Sequence, residues 1–390
     1  MTNPFLHISD LELSRCLAFA AEHPEIISRH HLLQKLTIFD FVAPLAAARR
    51  HDAILEIGCG QGIHSALLST YGAVSATELA VPGSFVGADR DVNVARATVF
   101  QSLAERPVAF TYNDGRQMPY ADESFDIVFH NSVIEHVPDI STFNREVRRV
   151  LRPGGICICI TGTPALCRFR LLKDYLLKLP LRAAIAVVKE APLLQEFVVG
   201  LLSVLGASDD TRLKIRERLQ RVDDRLRALS GSTDPSGVSK PVRTAGLTKI
   251  YPRLYHYLYF PNYNRIVLDE IARDLGMTPT DLLSGLEAHF GSIGNRLRFA
   301  LTPQTHGQHY RNVWDEMAEW RVERWQEQFT QTGFIIDDVR GYRYHHLLEF
   351  TPSSAWNASL YARAAKRIHA ALDRCMFDPA CASEIIIVAK

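Results

Sequence analysis

A chain of 390 residues, 47% hydrophobic and 22% charged, has ordinary globular composition, with room for one large decorated domain or two smaller ones. Its formal net charge of +1 offers no whole-chain electrostatic argument for nucleic acid. No run reaches the roughly 18–20 uninterrupted apolar residues of a spanning helix. The opening "MTNPFLHISD" has no basic stretch ahead of an apolar core, so no secretory leader is expected and the cytoplasm is the expected compartment. The seven cysteines are odd in number and lack CxxC spacing, which predicts buried thiols in a reducing environment and no metal site.

In chain order, residues from about 10 to 50 carry apolar residues at i, i+3, i+4 spacing and are expected to be helical. From there the periodicity changes. "DAILEIG", "GAVSATEL", "VAFTYND", "FDIVFHN" and "GICICITG" are short β-branched or aromatic runs. Helical segments such as "IHSALLSTY", "VNVARATVFQSLAE" and "ISTFNREVRRVL" separate them. That alternation predicts an α/β fold, a Rossmann-like and mostly parallel sheet with helices on both faces. "RPGG", Arg152 to Gly155, is expected to end a helix and turn into the fifth strand.

After Pro164 the alternation stops, and mainly helical texture follows, broken by the polar stretch "SGSTDPSGVSKP". A single helix, "WDEMAEWRVERWQEQFTQT", then precedes two returning strands, "GFIIDDVRGY" and "ASEIIIVAK". The expected organisation is an N-terminal helical segment (1–50), a seven-stranded Rossmann-like domain (51–165 and 318–390) and a helical insertion after strand five (166–317).

Chemistry concentrates in "ILEIGCGQG", Ile54 to Gly62. Gly58, Gly60 and Gly62 follow the first strand and open a helix, a turn that lets backbone approach a nucleotide. Glu56 sharpens the reading. A carboxylate beneath that turn disfavours a diphosphate and suits the cationic methionine end of S-adenosylmethionine.

With "FTYNDGRQMPYADESFDIVFHNSVIEHVPD", "VRRVLRPGGICICITGTP", "GFIIDDVR" and "SEIIIVAK", this stretch resembles the class I S-adenosylmethionine-dependent methyltransferase superfamily. The resemblance implies that Glu56, Gly58, Gly60 and Gly62 line the methionine moiety. It further implies that Asp114 accepts a bond from the adenine amino group, that Gly115 and Arg116 lie beside it, and that Asn131 lies near the cofactor after strand four. An acid should end strand two and take both ribose hydroxyls, about 20 residues past the glycines. Glu78 and Asp89 both qualify. Glu78 is preferred, because Gly72 ends the preceding helix in the expected place, and Asp89 then caps the following helix. An NAD-linked oxidoreductase, or a non-catalytic module that keeps the fold, are the rival readings.

On the acceptor side, candidate bases are His130, Glu135 and His136, just beyond strand four, and His306 in "LTPQTHGQHYRN". A base is needed only where the nucleophile must lose a proton. "IYPRLYHYLYFPNYNR" gathers Tyr251, Tyr255, Tyr257, Tyr259, Phe260 and Tyr263 with Arg253 and His256, which suits either a ring-shaped ligand or a packed lid. Residues 168–205 alternate apolar blocks with basic residues, the pattern of peripheral membrane contact or of a packed helical cap. The expected function is methylation, at oxygen, of a small-molecule or lipid-linked acceptor, with nucleic acid not expected.

Overall fold

The computed structural model describes residues 3, 5–48, 53–79, 90–113, 115–172, 247–254, 271–290, 292–307, 309–341 and 378–390. The chain divides into two compact units: Met1–Cys167 with Met317–Lys390, and Arg168–Glu316.

The first unit opens with α1 (Asp10–Glu22) and α2 (Arg29–Ala47). Ser9 begins α1 through a capping box with Glu12, and the Ser28 side chain caps α2. The alternating core follows as β1 (Ala53–Ile57), α3 (Ile63–Leu68), β2 (Ala73–Glu78), α4 (Arg90–Leu103), β3 (Val108–Tyr112), β4 (Phe125–Asn131), α5 (Ile140–Val150) and β5 (Leu151–Gly162). After α6 (Pro164–Leu171), the second unit contributes α7 (Pro279–Phe290) and α8 (Ile293–Leu301). Then come α9 (Val313–Glu319), α10 (Val322–Gln331), β6 (Ile336–Gly341) and β7 (Glu384–Ala389).

The seven strands form one sheet in the order β3-β2-β1-β4-β5-β7-β6, with β7 antiparallel to both neighbours. Burial on both faces explains why the central strands read as continuous apolar runs. Ile127 and Phe129 of β4 and Ile156, Ile158 and Ile160 of β5 share one core with Leu32, Leu36, Phe39 and Val42 of α2. Each such side chain contributes about 1.5–3 kcal/mol on burial. Cys157 and Cys159 alternate onto the opposite face, fully buried, and burial raises both thiol pKa values, that of Cys157 to about 12.

One local expectation is refined and one corrected. "RPGG" follows the end of α5 at Val150 and turns into the fifth strand, as expected; Leu151 already pairs with Phe125 and pairing resumes at Ile127 with Ile156, so Arg152–Gly155 loop out within β5. The closing helix is two helices, α9 and α10. Between them Trp320 is fully buried, its ring over Gly162, where a Cβ would collide with it. The Trp325 indole N–H donates to the Gly162 carbonyl at 3.0 Å, which anchors α10 on β5.

The second unit has its own core of Leu247, Ile250, Tyr251, Leu254, Ile271, Leu282, Leu286 and Phe299. Tyr251 belongs to that core, with its hydroxyl against His289, and the buried Arg253 pairs with Asp274. These two members of the aromatic run are therefore structural. Tyr255, His256, Tyr257, Tyr259, Phe260 and Tyr263 lie outside the described residues, as does the basic and apolar stretch beyond residue 172. Among the described residues, no helix is long and apolar enough to cross a membrane.

Candidate functional site

The site is built at the carboxyl ends of β1, β2 and β4, where the sheet order reverses between β1 and β4. In open α/β sheets, the crevice at that switch point takes the ligand. Gly58, Gly60 and Gly62 all have positive φ, +71°, +58° and +84°. Gly58 and Cys59 donate their N–H groups to the Thr77 carbonyl, each at 2.9 Å, so the turn is tied to β2. A Cβ at Gly58 would overlap Val133, and one at Gly62 the Phe100 ring. Close approach and left-handed backbone coincide here, which only glycine satisfies.

Glu56 is 2% exposed. Its carboxylate accepts from the Ser65 hydroxyl and lies 3.6 Å from His64 Nδ1, while His64 Nε2 faces the Lys35 carbonyl at 3.1 Å. The acid that the sequence reading set against the methionine end thus clamps β1 to α3.

Glu78 ends β2 and is nearly buried. Its two carboxylate oxygens accept from Gly60 N–H at 2.8 Å and from Leu79 N–H at 2.9 Å. Burial pushes its pKa above the usual carboxylate range, opposed by those two N–H groups and by Arg96. Arg96 is a residue the sequence reading passed over. It donates Nε–H to the Gly60 carbonyl at 2.8 Å and lies over the Phe110 ring, 4.1 Å from its centroid. The structure reveals it: Arg96, Val99 and Leu103 are buried at helical spacing, so a charge stands at a core position.

Gly115 has φ +75°, donates its N–H to Asn113 Oδ1 (2.7 Å), and leaves room for the Phe143 ring. Arg116 follows it, exposed. Asn131, at the end of β4, carries a buried Oδ1 that has no hydrogen-bond partner among the described residues. Asp89 and Asp114 lie outside them. A glycine turn open to close approach, a carboxylate at the neighbouring strand end and an orphaned amide oxygen at the third strand fit a ligand rich in hydroxyl and amino donors.

The candidate bases separate. His130 is fully buried with its ring edge-on to Phe143, 5.3 Å between centroids, and desolvation lowers its pKa to about 3. So weak a base, out of reach of solvent, is a core residue and not a proton acceptor. Glu135 and His136 share the 3₁₀ turn Ile134–His136; Glu135 is buried and accepts from the Thr161 hydroxyl at 3.2 Å, while His136 is half-buried. His306 belongs to the second unit, half-buried, where its backbone N–H and that of Gly307 donate to the buried Glu316 at 2.6 and 2.7 Å.

Residues 55–159 match the family described as a methyltransferase domain. The 27-O-demethylrifamycin SV methyltransferase of Amycolatopsis mediterranei (strain S699) is 32% identical over 116 residues, which cover 30% of this chain and 40% of the relative. The ubiquinone biosynthesis O-methyltransferase of Rhizobium etli (strain CIAT 652) is 33% identical over 109 residues, 28% of this chain and 40% of the relative. The demethylmenaquinone methyltransferase of Mycobacterium sp. (strain KMS) is 36% identical over 141 residues, 35% and 59% respectively. The chain spans less than two thirds of the length of each of these relatives. In sheet order, glycine turn and this match over residues 55–159, the α/β core is similar to the class I S-adenosylmethionine-dependent methyltransferase superfamily. S-adenosylmethionine is the cofactor of that class.

Proposed function

We propose that the chain methylates a small-molecule or lipid-type acceptor at oxygen. The observation that carries the reading is the pairing of the left-handed Gly58–Gly62 turn with Glu78 at the adjacent strand end. In this reading the turn backs the methionine portion, Glu78 takes the ribose hydroxyls, and Gly115 and Asn131 border the rest, with Asp114 as the adenine acceptor. When bound, the cofactor supplies a methyl group already activated on a sulfonium. The protein's task is then chiefly to hold nucleophile and methyl in line, which is worth several kcal/mol. The relatives support a small-molecule acceptor, since their names specify rifamycin, ubiquinone-pathway and menaquinone-pathway substrates and two specify O-methylation or a 27-O position.

Glu135, His136 and His306 remain the candidate groups for accepting a proton from the acceptor, and His130 is withdrawn from that role. Residues 168–205 are proposed as the peripheral membrane contact of a chain that handles lipid-type acceptors. Calorimetric titration with S-adenosylmethionine and with NAD tests the cofactor half, and binding of NAD alone would sink it. Transfer of labelled methyl to fractionated cell extract tests the acceptor half; label in protein or nucleic acid only would overturn it. Sedimentation with anionic liposomes at low salt tests the membrane contact, which no binding would refute.

A further inference from the structure

We propose that Arg96 is the positioning residue of the cofactor turn: its guanidinium fixes the Gly60 carbonyl, and its positive charge favours the neighbouring Glu78 as an acceptor for a diol. The inference rests on the reading of the Gly58–Gly62 turn and Glu78 as the S-adenosylmethionine site.

Gly60 is held from both sides by opposite charges. Its N–H donates to Glu78 at 2.8 Å, and its carbonyl accepts from Arg96 at 2.8 Å. One residue of the turn is thereby locked in orientation by two elements that are distant in sequence, β2 and α4. The guanidinium is itself oriented. Arg96 is 2% exposed, its Nη1 donates to Asn93 Oδ1 at 3.0 Å, and Asn93 also receives the Tyr112 hydroxyl. The Phe110 face beneath it completes the seat. Burying a cation among such partners is costly unless each contact is made, so this is a built position and not a solvated surface arginine.

The titratable and charged groups facing Glu78 come from three elements. Glu56 on β1 disfavours its ionised form, and Arg96 on α4 favours it. Cys59 of the turn stays a neutral thiol, its pKa pushed well up by burial and then by Glu56 and Glu78. Arg96 therefore opposes burial and Glu56, beside the larger effect of the Leu79 and Gly60 N–H groups. A protonated Glu78 would present a donor where a ribose diol also presents donors. Lysine offers a charge but neither the planar fork nor the flat face that rests on Phe110.

The test is S-adenosylmethionine affinity of the full chain, measured by calorimetry from pH 5 to 9, for wild type, Arg96→Met and Arg96→Lys. For Arg96→Met we expect affinity about tenfold weaker at pH 7, and the pH at which affinity falls away shifted upward, as loss of a positive charge beside a carboxylate requires. Arg96→Lys should keep the wild-type pH midpoint and bind about threefold more weakly. A folded Arg96→Met chain with wild-type affinity, or with weaker affinity but an unmoved midpoint, overturns the proposal. Near-ultraviolet circular dichroism reports folding. Should Arg96→Met fail to fold, Arg96→Lys decides, and wild-type affinity there overturns the proposal. A wild-type chain that binds no S-adenosylmethionine at any pH brings down the site reading itself, and this inference with it.

Discussion

The Glu78 carboxylate accepts the amide N–H of Gly60 at 2.8 Å, so the acid that ends β2 also fixes the turn that leaves β1. In the proposed site, cofactor affinity and turn geometry are thus coupled through one side chain.

Replacing Glu78 by Ala leaves the Gly60 N–H without this acceptor and removes the proposed ribose ligand. S-adenosylmethionine should bind about tenfold or more weakly, since two hydrogen bonds to a charged group are lost. Asp89→Ala should lose less. Calorimetric titration of both variants reads the difference, and a larger loss at Asp89 would reverse the ribose assignment.

Gly62→Ala meets two obstacles at once, a φ of +84° and the Phe100 ring. Destabilisation of about 1–3 kcal/mol is expected in urea unfolding. Adding Phe100→Ala should relieve the steric part relative to Phe100→Ala alone, while the backbone part persists. Full additivity of the two changes would mean that the ring contact plays no part.

His130 makes stability depend on pH in a known direction. Its pKa is about 3 when folded and near the ordinary 6.5 when unfolded, so the unfolded chain takes up the proton first. The stabilisation is complete above about pH 6.5 and drains away as pH falls towards 3, at about 1.4 kcal/mol per pH unit. Unfolding free energies of wild type and His130→Phe, measured from pH 7 to 4, should show a shallower slope in the variant. Parallel slopes would contradict the neutral buried imidazole.

Trp325→Phe keeps an aromatic ring but deletes the N–H that satisfies the Gly162 carbonyl, together with part of a fully buried indole. The expected cost is about 1–3 kcal/mol, the penalty for a buried acceptor left without its donor. Equilibrium unfolding in denaturant measures it, and an unchanged midpoint would mean that water replaces the indole.

Strand and helix identities through the core were legible because period and turn chemistry agree there. "ILEIGCGQG" reads as strand, turn and helix start from composition alone, and the structure forms that sequence of elements. What the sequence could not convey was the direction of individual side chains. Glu56 shares a sheet face with Ile54, which turns it towards His64 and Ser65, and period-two alternation gives the face but not the partner. His130 sits one residue from Asn131 and therefore on the opposite face, buried on Phe143, although the two read together as a polar pair. Arg96 escaped notice because a helical arginine is ordinarily solvated, and only burial shows otherwise. The break between α9 and α10 was hidden for a similar reason: Trp320 is an acceptable helix residue, and a tertiary contact with Gly162 claims it.

The position of β7 between β5 and β6 has a consequence for synthesis. Thr163, just past β5, meets Ala382, just before β7, across 219 residues of chain. At 5–20 residues per second, about 10–40 s pass between the two leaving the ribosome. Throughout that interval β5 is an apolar sheet edge with its hydrogen-bonding groups unpaired, the kind of edge that templates association between chains. Ribosome-bound fragments ending before Glu384 should therefore bind holdase chaperones, and release them once β7 has closed the edge.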